Sequence, residues 1–186
     1  KKLKPSNSAA IASIHSGRVN QEVRMTFMGQ ESPTIMGVML DGDSGVAVDN
    51  FPMRGSSGLG FELVNQAQYR KILELTQSKL VIMQYGINVV PSPRKNYAFY
   101  QRMFSAQLNA IRKANPDISI LVIGPSDMSR RRSGEYVSYP NIPLIRDAMK
   151  NAAFEHGCVF WDLYEAMGGE NSMVAWVNND PPLAGK

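Results

Sequence analysis

The feature that most constrains this chain is a change of grammar after residue 45, where short apolar runs begin to alternate with longer stretches of helical period. Val46-Ala47-Val48 reads as a strand, Phe61 to Thr76 as a helix with Leu63, Ala67, Ile72 and Leu75 inward, and Leu80 to Tyr85 as a strand. Tyr97, Tyr100, Phe104, Leu108 and Ile111 recur at helical spacing. Ile118 to Ile123 is a strand, Leu144 to Phe154 a helix and Cys158 to Trp161 a last strand, with a short helix near Leu163 to Met167. Strands that alternate with helices are joined by crossovers, so the sequence predicts an α/β domain with a parallel sheet and helices on both faces. Ligands of such sheets sit outside the carboxyl ends of the strands. A site is therefore expected in residues 50–60, 85–93, 124–141 or beyond Trp161.

Upstream the pattern differs. Val23, Met25 and Phe27 alternate with Arg24, Thr26 and Met28, and Gln30-Glu31-Ser32-Pro33 separates them from a second run, Thr34 to Leu40, so two antiparallel strands are expected. Residues 1–20 show no period. The expected organisation is the tail of a β-rich module or linker over 1–44 and an α/β domain over 45–186. A chain of 186 residues suits one core with an appendage.

Composition narrows the function classes. With 44% hydrophobic and 19% charged residues the chain can bury a core, and its apolar runs fall far short of the ~20 residues of a membrane helix. Lys1-Lys2-Leu3-Lys4-Pro5 has the charge of a signal peptide's first region, but Ser6 and Asn7 follow where an apolar stretch belongs. The single cysteine, Cys158, lies in an apolar run and reads as a buried small hydrophobe. With His15 and His156 far apart it assembles no zinc set, and no G-x-x-x-x-G-K-[ST] loop occurs, so neither metal nor cofactor is expected. The net charge of +4 draws attention to Arg130-Arg131-Arg132. Flanked by Ser129, Ser133 and Gly134 and without interleaved aromatics, that cluster reads as a solvated loop, or a contact for an anionic or sugar substrate, before it reads as a nucleic-acid surface.

Two segments carry the candidate chemistry. Phe51-Pro52-Met53-Arg54-Gly55-Ser56-Ser57-Gly58 leaves a strand through small residues and enters a helix, a setting in which backbone N–H groups can approach an anion. Tyr85-Gly86-Ile87-Asn88 ends the next strand, where Asn88 can aim its amide into the crevice that Gly55 lines. A backbone N–H and an Asn amide at one point make an oxyanion hole. Each segment taken singly reads equally as a tight turn.

The order VAVDNFPMRGSSG, VIMQYGIN, ILVIGPSDM resembles the second and third conserved blocks of the SGNH (GDSL-type) hydrolases and the strand after them. The resemblance covers roughly residues 45–186 and implies a three-layer, flavodoxin-like αβα fold, with Gly55 and Asn88 as oxyanion donors. The family's G-x-N-D reads Gly86-Ile87-Asn88-Val89 here, so its aspartate is absent. Gly42-Asp43-Ser44 spells the family's G-D-S, yet only ten residues separate Ser44 from Gly55, too few for the expected crossover helix with Val46-Ala47-Val48 as a strand. Ser56 and Ser57 crowd the donor itself. His156 reads as a helix cap at the amino end of the sheet. Asp180 stands near where the family's Asp-x-x-His block belongs, but Pro181, Pro182 and Leu183 follow it.

The resemblance thus implies a serine esterase, favouring O-acetyl groups on a carbohydrate or glycan, read as a fragment whose nucleophile and Asp-His pair lie outside these residues. Ser44 and Asp180 stay as the candidates within. A missing strand would come from flanking sequence or a companion segment, and the family resemblance favours a periplasmic or secreted setting. Two rivals stay open: a non-catalytic glycan-binding or scaffolding protein of the same fold, and a flavodoxin-like nucleotide binder.

Overall fold

A computed structural model describes residues 7–15, 17, 22–29, 34–42 and 44–185. The chain divides into two units, one of Lys1–Pro5 with Ile11–Arg54 and one of Ser6–Ala10 with Gly55–Lys186. In chain order the second unit holds α1 (Gln66–Leu75), β1 (Leu80–Gln84), α2 (Ala98–Ala114), β2 (Ser119–Ile123), β3 (Ser129–Arg132), β4 (Glu135–Ser138), α3 (Ile142–Glu155), β5 (Val159–Trp161), α4 (Leu163–Met167) and α5 (Ser172–Asn178). Among the described residues no helix is long and apolar enough to cross a membrane.

The expected parallel sheet is present, in the order β1-β2-β5, with Ile82 beside Leu121 and Leu121 beside Val159. Its strands follow one another across the sheet without reversing direction. Right-handed crossovers that step one way place their helices on the same face. Met83, Ile120 and Val122 accordingly sit with Phe104, Leu108, Ile111, Ile145 and Met149 of α2 and α3 in a buried core. The expected α/β architecture, a parallel sheet flanked by helices, is present, with α2 and α3 packed on this face. On the opposite face Leu80 and Ile82 are each 50% exposed, Val159 65% and Trp161 49%.

The first unit departs from expectation. Residues 22–29 and 34–42 form no strand, and the turn expected between them, Gln30 to Pro33, lies outside the described residues. Val46-Ala47-Val48 is not a strand either, with Val46 and Val48 largely exposed. Alternation supplies an apolar edge, but a strand exists only where a neighbour completes its ladder of hydrogen bonds. The expected helix from Phe61 also changes form. A 3-10 turn, Phe61–Leu63, breaks at Val64, and Asn65 then caps α1 by accepting from the Gln68 N–H at 3.1 Å. Leu73 is the buried residue of α1, while Leu63 and Ala67 are exposed.

The arginine cluster is strand rather than loop. β3 and β4 pair antiparallel as a hairpin, and the two residues between them, Ser133 and Gly134, both have positive φ, the requirement of a two-residue hairpin turn.

Candidate functional site

The carboxyl edge of the sheet is shaped by how β1 ends. Gly86 has φ +99°, and a Cβ there would lie 2.8 Å from Met149 Sδ and 3.2 Å from Pro125. Only glycine lets the chain turn through that gap between α3 and the loop after β2. The turn launches a 3-10 segment, Ile87–Val89, that holds Asn88 exposed. From there Asn88 Nδ2 donates to the Ser56 carbonyl at 2.7 Å. An amide nitrogen carries two hydrogens, so one remains for a ligand.

The opposing loop is pinned from below. Gly58, with φ +80°, lies so close under Tyr85 that a Cβ would stand 2.7 Å from Tyr85 Cγ and 3.1 Å from Phe104 Cε2. Its N–H donates to Ser56 Oγ at 3.0 Å, and the Tyr100 hydroxyl donates to the Ser57 carbonyl at 2.7 Å. Burial, with a smaller contribution from Tyr85, raises the Tyr100 pKa far above its ordinary value, and burial also raises that of Tyr85. Both phenols therefore stay protonated at neutral pH.

The helix start expected just after this loop does not present its amides to an anion. The N–H groups of Gly60 and Phe61 donate to the buried Gln107 Oε1 at 3.0 and 2.8 Å, and α1 begins only at Gln66. No acceptor among the described residues takes the Gly55 N–H. The arrangement thus offers two unspent donors, the Gly55 N–H and one Asn88 hydrogen, on loops joined by a single hydrogen bond. At the carboxyl ends of β1 and β2, next in sequence to Asn88 but not lined by Gly55 or Asn88 themselves, lies a shallow depression of about 270 Å³ lined by Gln84, Tyr85, Ile87, Gly124, Pro125 and Ser126.

The remaining candidates lie elsewhere. Ser44 is exposed in a bend of the first unit, and Asp43 is outside the described residues. Ser56 Oγ accepts from Gly58, which ties it into its own turn. His156 terminates α3, its N–H donating to the Ala153 carbonyl at 3.2 Å, at the amino end of β5 and away from Asn88. His15 is exposed in the first unit. Asp180 is exposed beyond α5. Cys158 is buried, which raises its thiol pKa against an opposing effect of Arg112.

Sequence reading missed three parts of this edge. Gln107 falls in phase with Phe104, Leu108 and Ile111, and a polar residue on an apolar helix face was the available signal. The Tyr100 hydroxyl is buried for the same positional reason. The third is a buried carboxylate, Asp127, which accepts from the Met128 N–H at 2.9 Å, Ser138 Oγ at 2.6 Å and the Met173 N–H at 2.9 Å. It anchors the hairpin base to α5, and no local pattern announces it.

A family model described as the GDSL-like Lipase/Acylhydrolase family matches residues 21–181. Among solved structures, one of a peptidoglycan O-acetylesterase is similar, with a TM-score of 0.53 and 23% identity, over 61% of this chain and 31% of that one. The likeness is one of fold, and the match spans about a third of that structure's length. No curated protein matches the chain.

Proposed function

The chain belongs to the GDSL-like lipase/acylhydrolase family, and from that premise we propose that it forms part of a serine esterase, with Gly55 and Asn88 as its oxyanion donors. The observation that carries this reading is the 2.7 Å bond from Asn88 Nδ2 to the Ser56 carbonyl. It fixes the amide next to the loop whose Gly55 N–H is unspent. In acyl transfer a serine hydroxyl attacks the ester carbonyl, a histidine takes its proton and later returns it to the leaving alcohol, and N–H donors hold the oxyanion. Each such donor is worth about 3–4 kcal/mol of barrier.

Residues 45–186 supply the hydrolase fold in this reading, and the strand that pairs with the open edge of β1 carries the nucleophile. An O-acetylated glycan is the substrate class. It fits the shallow, open depression of about 270 Å³, which suits a small acyl group presented on a larger polar body.

The position of His156 at the amino end of β5 favours a second reading, a glycan-binding protein that keeps the fold without the chemistry. A fluorophosphonate probe separates the two. Treatment of the full-length protein followed by peptide mapping should find one labelled serine, with loss of p-nitrophenyl acetate turnover in step. Folded protein that takes no label and turns over no ester is the second reading. Label on Ser44 would place the nucleophile in the first unit.

A further inference from the structure

The hairpin of β3 and β4 has no part in the chemistry above, yet it rises from the wall of the depression. Ser126 lines that wall, and Arg130 follows four positions later, within about 14 Å of chain. Its base is held rigidly. Ser138 Oγ donates to Asp127 Oδ1 at 2.6 Å and accepts from the Asn171 N–H at 2.7 Å, while the Ser138 N–H donates to Asn171 Oδ1 at 3.0 Å. The Tyr139 N–H closes the foot of the hairpin on the Met128 carbonyl at 3.0 Å.

On this rigid base stand three guanidiniums. Glu135 is the register partner of Arg132, yet among the described residues none of Arg130, Arg131 and Arg132 pairs with a carboxylate. Arg130 is stacked over the Tyr139 ring at 5.1 Å, and its Nε is buried with no hydrogen-bond partner. Arg131 shares its side of the hairpin with its register partner Tyr136, which is 63% exposed. Planar guanidinium forks match carboxylates bidentately, and an exposed tyrosine ring offers an apolar plate to a sugar face.

We propose that the Ser129–Ser138 hairpin is a substrate-holding element for an acidic polysaccharide, with the arginines taking sugar carboxylates and Tyr136 packing on a ring, at the rim of the depression beside Asn88. The proposal rests on the esterase reading for its purpose, but the binding it describes stands or falls separately. Three guanidiniums, divided between the two sides of a short hairpin, fall short of the roughly 6–10 phosphate contacts that a nucleic-acid surface makes. Preorganisation by the Asp127 and Asn171 bonds lets these side chains bind without first ordering the backbone.

The test is direct binding of full-length protein to polygalacturonate, with dextran as neutral control and poly(U) as nucleic-acid control. Polygalacturonate should bind at low salt and weaken as salt rises, while dextran does not bind. Arg131→Ala with Arg132→Ala, both exposed and free of structural bonds, should weaken binding about tenfold or more. Tyr136→Ala should weaken it about threefold further. Binding unchanged in the double variant, absence of polygalacturonate binding, or poly(U) bound as tightly as polygalacturonate would each overturn the proposal. Fluorophosphonate labelling of the same variants reads the esterase chemistry independently, so failure of one reading is not mistaken for failure of the other.

Discussion

Asn88 and Ser56, thirty-two positions apart in sequence, are joined by one hydrogen bond of 2.7 Å from the Asn88 amide to the Ser56 carbonyl. That bond does two things at once: it orients the amide and it closes the Gly55 loop over the end of β1. Removing it separates the chemical role from the structural one.

Asn88→Ala should lower p-nitrophenyl acetate turnover in the full-length protein by about 10²–10³, the loss expected for one oxyanion donor. The fold should lose only about 0.5–1.5 kcal/mol, because Asn88 and its acceptor lie near solvent that can replace the bond. Steady-state kinetics and a urea melt on the same preparation give both numbers. A kcat within a factor of about three of the parent, in a folded variant, would remove Asn88 from the proposed role.

Gly58 should tolerate no side chain. Gly58→Ala meets Tyr85 Cγ at 2.7 Å with φ at +80°, so it combines overpacking with left-handed strain, costing about 2–4 kcal/mol. Gly134 has φ +92° but open space around it, so Gly134→Ala should cost only about 1–2 kcal/mol. The difference between their urea midpoints isolates the contact with Tyr85.

Most of the sheet was legible in the sequence, and the reason is periodicity. Leu80 to Tyr85, Ile118 to Ile123 and the Phe104-Leu108-Ile111 stripe each carry their period within one element, and the structure places them within a residue or two of expectation. Val23 to Leu40 and Val46 to Val48 carry a period too. What fails there is pairing, which is a property of two segments and not of one. The hairpin was missed for a different reason: attention to three charges hid a Ser133-Gly134 turn signal that was present. Gly55 and Asn88 could be nominated from their places after successive strands together with motif order, and the bond through Ser56 is a tertiary fact that no local pattern contains.

Tyr100 should govern part of the alkaline limit. Its phenol is buried and donates to the Ser57 carbonyl at 2.7 Å, and its pKa is raised above the unfolded value of 10.0 chiefly by desolvation. Below pH 10 both states keep the proton, so the hydrogen bond contributes in full. Above it the unfolded chain ionises while the folded one does not, and stability falls as pH rises. Tyr69, Tyr85 and Tyr164 are shifted the same way by burial and share the effect. Tyr100→Phe should cost about 0.5–1.5 kcal/mol at pH 8 and flatten the fall above pH 10, as thermal melts across that range would show. An unchanged alkaline slope in the variant would contradict the assignment.

The two faces of β1 should answer differently to the same kind of change. Met83 is 1% exposed and packs beneath α2 and α3, whereas its neighbour Ile82 points to the other side and is 50% exposed. Met83→Ala leaves a cavity that rigid helices cannot close, so it should cost about 2–5 kcal/mol. Ile82→Thr keeps β-branching and therefore the strand preference, and it replaces an ethyl group by a hydroxyl on a face that water already reaches. Measured on residues 1–186, its cost should stay within about 0.5 kcal/mol. In a preparation where a further strand or helix layer covers Leu80, Ile82, Val159 and Trp161, the same Ile82→Thr change buries a hydroxyl and should cost about 1–3 kcal/mol. A urea melt of this one variant in both preparations therefore reports whether the second face is covered. Equal small costs in the two would show a face that stays open in both preparations, and equal large costs would show that the 186 residues cover it themselves.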